Sequence, residues 1–196
     1  MRSVFAILTV ILVAVPLSAA HAQTTGRSST GVAAEEPQAR IDRLFDELRR
    51  ARNEQAAERV AARIRNEWTR SGSASVDLLM QWSQEAMKKE NTAVAMDFLD
   101  QVVMLAPDYA EGWNRRATLH FTMENYSKSM ADIGRVLRLE PRHFGALGGM
   151  ATILKNAGHK EAAMHAYERV LDVYPMMRSA QTELGNLADE LTGEGI

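Results

Sequence analysis

Four histidines in the second half of the chain are the residues whose chemistry could include metal binding or proton transfer: His120, His143, His159 and His165. Only His159 and His165 are close in sequence, and residues six apart do not share one helical face. No Asp or Glu completes a recognised ligand motif around them, and the chain has no cysteine. The pattern predicts no metal site, and we expect His120 to pack in a core and the other three to lie on the surface.

Two other groups of residues could take part in catalysis or phosphate binding. Ser127 and Ser129 have no accompanying His and Asp in an arrangement typical of a nucleophilic serine. Gly145, Gly148 and Gly149 follow no strand and are not followed by the Lys-Ser/Thr pair of a phosphate-binding loop. We therefore expect no catalytic residues and no cofactor, and the sequence favours binding over catalysis.

The first 22 residues, 1–22, have the form of a secretory signal peptide. A single charge, Arg2, precedes an apolar run, and small residues flank the predicted cleavage point after Ala22. The run is shorter than the roughly 20 residues that a membrane-spanning helix needs. We expect cleavage before Gln23, export to the periplasm and no stable membrane anchor afterwards.

The charge of the mature chain argues against nucleic acid as a partner. Removing Arg2 from the 23 basic residues leaves 22 against 25 acidic ones, a net charge of −3, which is too mild to indicate a polyanionic partner. Residues 23–38 are poor in large apolar side chains and are predicted to be a flexible lead-in. Without disulfide bonds, the remaining chain must be stabilised by packing.

Three similar segments recur at a fixed spacing: QVVMLAP, RVLRLEP and RVLDVYP end at Pro107, Pro141 and Pro175, which are 34 residues apart. Apolar residues before each proline recur at spacings of three, four and seven, which predicts an amphipathic helix that the proline ends. A second helix is predicted upstream of each one. Each period is thus two antiparallel helices that bury their apolar faces by stacking on the neighbouring pair.

Short turns are predicted between the two helices of each pair, at Glu90-Asn91, Glu124-Asn125 and Ala157-Gly158. Asn91 and Asn125 are predicted to cap the helices that follow. Gly158 is predicted to adopt the left-handed conformation that ends a helix.

The repeated pattern resembles that of the tetratricopeptide repeat family in units 76–109, 110–143 and 144–177. The clearest matches are Trp113, Ala117, Ser129, Ile133 and Pro141 in the second unit and Leu147, Ala151, Gly158, Ala163, Tyr167 and Pro175 in the third. Arg116 stands where the family has Leu, and His120 replaces an aromatic residue. The resemblance implies an all-α, right-handed α-solenoid of antiparallel helix pairs.

Two flanking segments are predicted to form the ends of this solenoid. Residues 39–74 are predicted to be a degenerate helical pair that caps the N-terminal end, because Phe45, Leu48 and Ala61 lie in repeat-like register. Residues 178–192 are predicted to be a capping helix with a polar outer side. Three tryptophans, at positions 68, 82 and 113, lie on core stripes and are predicted to be packing residues.

In the family, the first helices of the pairs line a concave groove that binds segments of partner proteins. The resemblance places ten residues in such a groove: Met80, Gln84, Met87, Asn114, Thr118, Phe121, Gly148, Thr152, Lys155 and Asn156. Met80, Met87 and Phe121 would supply apolar contacts and the others polar contacts. The family's clamp for a C-terminal carboxylate is not expected, because only Asn114 matches it.

The glycines in the third unit have two explanations. Each glycine inside a helix costs about 0.5–1 kcal/mol relative to alanine. Gly145, Gly148 and Gly149 therefore either let a neighbouring helix pack very closely or leave a recess for a ligand, in which case Gly148→Leu would weaken partner binding.

Arginines are concentrated at the start of the folded region. Residues 39–70 hold nine arginines and six acidic residues, with pairs such as Asp46 with Arg50 and Arg63 with Glu67 four residues apart. A solvated, ion-paired face is the default expectation. A docking surface for anionic lipid or an acidic partner is the alternative.

Together these patterns predict an exported, non-catalytic adaptor that holds a segment of another protein or peptide in its groove. The alternative is a structural component of the cell envelope that self-associates through exposed edge helices. Nothing in the sequence indicates an enzyme or a lipid carrier.

Overall fold

The computed structural model describes residues 36–193, so the predicted signal peptide and residues 23–35 of the predicted lead-in lie outside the described part. Within that part the chain forms nine α-helices and no strand, which confirms the all-α prediction. The helices are α1 (Pro37–Arg50), α2 (Glu54–Trp68), α3 (Ala74–Lys88), α4 (Thr92–Leu105), α5 (Ala110–Thr122), α6 (Tyr126–Leu139), α7 (Phe144–Asn156), α8 (Lys160–Val173) and α9 (Arg178–Gly193). None of these helices is long and apolar enough to cross a membrane.

A side-chain cap or an initial proline explains five of the nine helix starts in the described part. Helix α1 begins at Pro37, because a proline suits the first turn, where its missing N–H has no partner to lose. The lead-in prediction is therefore wrong for Pro37 and Gln38, which are helical. Asn91 caps α4 by accepting a bond from the Val94 N–H at 3.4 Å, as predicted. Asn125 precedes α6 but makes no such bond, so that part of the prediction is wrong.

The turns within the three hairpins all contain a left-handed residue. Gly158 has a φ of +80°, which confirms its predicted role as a helix terminator. The residues one and two periods earlier, Glu124 and Glu90, adopt the same conformation with φ values of 60° and 57°. The repeated turn therefore imposes this conformation even where a side chain opposes it.

Helices α3 to α8 form three antiparallel hairpins, α3 with α4, α5 with α6 and α7 with α8. Val102, Val136 and Val170 occupy equivalent positions in the second helix of each hairpin and are fully buried. Successive hairpins stack through α4 against α5 and α6 against α7. Helix α9 packs on α8 and buries Ala180 and Leu187. The α-solenoid predicted from the 34-residue period is therefore confirmed.

The N-terminal helix pair does not cap the solenoid. Helix α1 packs against α2 and α8, and neither helix of the pair forms a packed interface with α3 or α4. Its apolar residues instead form one core with two aromatic residues beside the turns between repeats, Phe144 at the start of α7 and Tyr174 just after α8. The prediction of a cap in repeat register is thus wrong, because these aromatic residues offer the pair a different apolar surface.

Polar contacts hold the pair in this position. The Tyr174 hydroxyl donates to Glu58 at 2.9 Å, and the Arg142 guanidinium donates to Asp42 at 2.8 Å. The same guanidinium lies over the Phe45 ring, 4.2 Å from its centroid. These contacts join positions about a hundred residues apart in the sequence.

The three tryptophans differ in their surroundings. Trp68 is buried and Trp113 is partly buried in the second hairpin, in agreement with the packing prediction. Trp82 is 45% exposed, so the prediction is wrong for this residue. Its ring contacts Phe98 with centroids 5.6 Å apart on the outer side of the first hairpin.

Several arginines of α1 and α2 are paired with acidic residues, although not in the predicted combinations. Asp46 pairs with Arg49 rather than with Arg50. Arg63 pairs with Glu47 on the other helix at 2.6 Å, rather than with Glu67. The two helices lie antiparallel, so cross-helix partners replace the partners one turn away.

Candidate functional site

The first helices of the hairpins, α3, α5 and α7, line a surface with three adjoining recesses, and we call this surface the groove. One recess, of about 190 Å³ and with a mainly apolar lining, lies between α5, α6 and α7. This central recess is lined by Asn114, Ala117, Thr118, Phe121, Ser129, Ile133, Gly145, Ala146, Gly149 and Thr152. Its volume fits one apolar side chain of a partner.

Glycines leave the central recess open on the α7 side. A Cβ atom at Gly149 would lie 3.5 Å from Ile133 Cδ1, and one at Gly145 would lie 3.4 Å from His143 Cε1. A Cβ at Gly148 would meet nothing within 4 Å, and this residue does not line the recess. Close helix packing therefore does not explain these glycines, and the recess is formed by Gly145 and Gly149 without Gly148.

Close packing does occur at a glycine that the sequence analysis did not single out. A Cβ at Gly112 would lie 2.6 Å from Val102 Cγ1, so a larger residue there would separate the first hairpin from the second. The equivalent position in the third unit is Ala146, a small and buried residue. Small residues at this one register position could have indicated the close approach.

Two further recesses continue the groove towards α3. One, of about 250 Å³, lies between α2, α3, α5 and α7 and is lined partly by Met87, Arg115 and Trp68. The other, of about 180 Å³, lies against α3 and is lined partly by Met80, Gln84 and Met87. The three recesses are connected by shared lining residues. The 250 Å³ recess shares Met87 and Arg115 with the recess against α3. It shares Asn114, Thr118 and Gly145 with the central recess.

Seven of the ten predicted groove residues line these recesses: Met80, Gln84, Met87, Asn114, Thr118, Phe121 and Thr152. Gly148, Lys155 and Asn156 do not. Lys155 instead donates to Glu183 of α9 at 2.6 Å, and Asn156 is exposed at the end of α7. The Lys155 side chain, which was predicted to contact a partner, is therefore bonded to the C-terminal helix instead.

The hydroxyl groups of the groove are already bonded within the protein. Thr118 and Thr152 donate to carbonyl groups one turn earlier in their own helices, at 2.9 and 3.0 Å. Ser129 donates to the Ala117 carbonyl at 2.9 Å. Within residues 36–193, no group of three or more His, Asp or Glu side chains is arranged to hold a metal ion. The groove hydroxyls therefore already have hydrogen-bond partners within the protein.

A buried histidine joins the groove to the N-terminal helix pair. His143 is only 2% exposed, so its predicted place on the surface is wrong. Its Nδ1 accepts a bond from the Ala146 N–H at 3.1 Å and caps α7. Since Nδ1 is an acceptor, the proton lies on Nε2, which donates to Glu111 at 3.3 Å. The imidazole ring stacks on the Trp68 indole with centroids 4.0 Å apart.

Glu111 is a buried carboxylate beneath the groove. Burial favours its neutral form, but the His143 hydrogen bond and the charge of Arg115 outweigh this effect and keep the pKa of Glu111 below its usual value. The carboxylate also accepts bonds from Arg115 at 2.6 Å and from the Asn114 amide at 2.9 Å. These bonds fix the orientation of Asn114 and Arg115 towards the recesses.

The comparison of this fold and sequence with known proteins shows the family. The model of the tetratricopeptide repeat matches residues 110–143 and 145–175, in the second and third units. A TPR repeat-containing protein of Rhizobium etli is 52% identical over 161 residues, which cover 82% of this chain and 79% of that protein. The chain therefore belongs to the tetratricopeptide repeat family.

Solved structures of the same fold include domains in complex with peptides. The first TPR domain of Spaghetti (RPAP3), bound to the HSP90 peptide SRMEEVD, has a TM-score of 0.57 and 20% identity, and the match covers 60% of this chain and 93% of that one. The TPR2B domain of yeast Sti1, in a complex with pHsp70, has a TM-score of 0.55 and 15% identity over 60% of this chain and 99% of that one. At these identities the likeness shows the fold alone.

Proposed function

We propose that the protein is a non-catalytic adaptor that binds an extended or helical segment of another protein in the groove. The observation that carries the proposal is the continuous row of three recesses along α3, α5 and α7. The peptide complexes of similarly folded domains support this mode of binding. Repeats stack rigidly on one another, so the groove is preformed and binding costs little conformational entropy.

An apolar side chain of the partner would occupy the central recess. Ala117, Ile133 and Phe121 form much of its lining, and the glycines leave room for the entering group. Met80 and Met87 would contact a second apolar residue of the partner, since methionine adapts to different shapes. Asn114 and Arg115 would supply the polar contacts between these two positions.

We also propose that the adaptor works in the periplasm, on the basis of the signal-like residues 1–22. The test is the mass of the protein recovered from the envelope of cells that express the whole chain. A mature protein that starts at Gln23 and is found in the periplasmic fraction supports the proposal. An uncleaved chain in the cytoplasm contradicts it.

The binding proposal is tested by filling the central recess without disturbing the fold. Gly149→Leu places a large side chain in the recess while its Cβ makes only an ordinary contact with Ile133. Leucine also favours the helix more than glycine does. We expect this variant to retain thermal stability and to lose most of the partners captured from an envelope extract, as measured by quantitative mass spectrometry.

Two further variants complete this experiment. Met87→Glu/Phe121→Glu introduces charge into the groove, and Met104→Glu makes a similar change at a residue that is 72% exposed and outside it. The control should recover the same partners as the unaltered protein. Equal recovery of all partners by the groove variants would show that the groove is not the binding surface.

A further inference from the structure

The outer side of the first hairpin carries an apolar surface that no other helix of the described region covers. Five large side chains form this outer face: Leu78 and Trp82 on α3, and Val94, Phe98 and Leu105 on α4. Leu78 is 41% exposed, Trp82 45%, Val94 38% and Leu105 61%. Trp82 and Phe98 are in contact, and a recess of about 440 Å³ lies beside them.

The repeat register shows that two positions of this surface, those of Leu78 and Phe98, are stacking positions in the other repeats. The positions one and two periods after Leu78 are Gly112 and Ala146, and both are buried against the preceding hairpin. The positions equivalent to Phe98 are Asp132 and Ala166, which are also buried. In the second and third units, a helix pair covers this face. In the first unit, no helix pair within residues 36–193 covers the same face.

The N-terminal helix pair cannot serve as this missing layer while it stays where the structure places it. The pair is held on the inter-repeat turns by the stacking of Trp68 on His143 and by the Tyr174–Glu58 hydrogen bond. These contacts use the apolar side of α1 and α2 that a solenoid cap would need. The outer face therefore fits a pair of helices from a second molecule.

We propose that the outer face is a two-fold interface between two copies of this chain, independent of what the groove binds. A head-to-tail stack would place α9 of one copy on the outer face of the next. The exposed residues of α9 are mostly polar: Gln181, Thr182, Asn186, Asp189 and Glu190. Within residues 36–193, the apolar surface that matches the outer face is the outer face itself, and a two-fold axis would bring two copies of it together.

The charges beside the recess are also self-complementary. Glu85 on α3 and Lys89, the residue that follows α3, both line it about one turn apart, and Glu85 also accepts a bond from Lys88 at 2.9 Å. In a two-fold arrangement with antiparallel α3 helices, Glu85 of one copy lies opposite Lys89 of the other, and the reverse pair forms as well. In a parallel arrangement the same charges would face like charges, so they favour antiparallel α3 helices.

The size of the outer face sets the strength of the association. Two helices of about 14 residues form a face of roughly 20 by 20 Å, or about 400 Å² per copy. This is below the roughly 800 Å² per partner of a standard stable interface. We therefore expect a weak, reversible dimer.

The test is sedimentation velocity of the protein purified after expression of the whole chain, from about 5 to about 500 µM. The double variant Trp82→Arg/Phe98→Asp copies the residues that the chain itself uses at the equivalent positions, Arg116 and Asp132. Met123→Glu changes an exposed apolar residue outside the outer face and is the matched control. We expect dimerisation to weaken at least tenfold in the double variant and to be unchanged in the control.

Several results would overturn the proposal. These are a wild-type protein that stays monomeric over the whole range, a series of oligomers larger than a dimer, and a dimer that the double variant leaves intact. Circular dichroism establishes that each variant is folded. Should the double variant unfold, Val94→Glu provides a milder change on the same face, and the same tenfold weakening is required of it.

Discussion

The pair Arg116 and Asp132 provides the sharpest test of how the hairpins are held together. The Arg116 guanidinium donates two bonds of 2.8 Å to Asp132 and one of 2.8 Å to Asp100 on the preceding hairpin. Asp132 is only 5% exposed, and its hydrogen bonds with Arg116 raise the pKa of that guanidinium. Arg116 also lies over the Trp113 ring, 4.8 Å from its centroid. A buried ion pair thus explains why Arg116 stands where the repeat family has Leu.

The test replaces Arg116 and Asp132 with the types of residue that the chain has one period later, at Met150 and Ala166. Arg116→Met alone leaves the Asp132 carboxylate buried without its counter-ion, and we expect a loss of about 3–5 kcal/mol in the free energy of unfolding. Asp132→Ala alone leaves Arg116 bonded to Asp100, so we expect a smaller loss of about 1–3 kcal/mol. The double variant should lie within about 1 kcal/mol of the wild type, because apolar side chains often replace a buried ion pair without loss.

The assay is urea unfolding at neutral pH, followed by far-ultraviolet circular dichroism for the wild type and the three variants. The coupling free energy of the cycle should be at least about 2 kcal/mol. Since the ion pair is buried, added salt should change the coupling free energy little. Additive effects of the two single substitutions, or a stable Arg116→Met variant, would refute the reasoning.

The remaining predictions concern the turns, a buried histidine and the N-terminal pair. Glu90→Gly and Glu124→Gly should each stabilise the protein by about 0.5–1 kcal/mol, because glycine relieves the strain of the left-handed conformation at some cost in unfolded-chain entropy. Gly158→Ala should destabilise the protein by about 1 kcal/mol for the opposite reason. Urea unfolding measures all three changes. Burial lowers the pKa of His120, so protonation favours unfolding and stability is lost as the pH falls below the ordinary value of 6.5. His120→Phe should reduce this loss and stabilise the protein by about 1 kcal/mol at acidic pH, since the buried Nδ1 has no hydrogen-bond partner. Trp68→Ala should lower the free energy of unfolding by about 3–5 kcal/mol and should speed amide hydrogen exchange in α1 and α2.

Each of these predictions has a contradicting outcome. Destabilisation by Glu124→Gly would show that the side chain makes a contact that outweighs the strain. An unchanged pH profile in His120→Phe would assign the acid sensitivity to other groups. Uniform loss of exchange protection in Trp68→Ala, without preference for the first two helices, would show that the pair does not detach separately.

Much of the groove followed from the sequence, because its residues repeat with the helix pairs. Met87, Thr118 and Phe121 lie at fixed offsets from the core stripe of a first helix, so the helical period alone places them on one surface. Three predicted groove residues do not line the recesses: Gly148 in the middle of α7, and Lys155 and Asn156 at its end. The Lys155 side chain bonds to α9, and no local pattern shows which residue of another helix will meet it.

The sequence by itself determined the helices, their pairing into hairpins and the stacking of the hairpins, because all three depend on patterns within one or two 34-residue periods. Only the tertiary structure decided where α1 and α2 pack, and with them the burial of His143 and the exposure of Trp82. These features depend on contacts between positions far apart in the chain, such as Trp68 with His143 and Glu58 with Tyr174. An apolar stripe shows that a helix must be covered, but several surfaces can cover it, and the choice depends on shape and on partners that the local pattern does not contain.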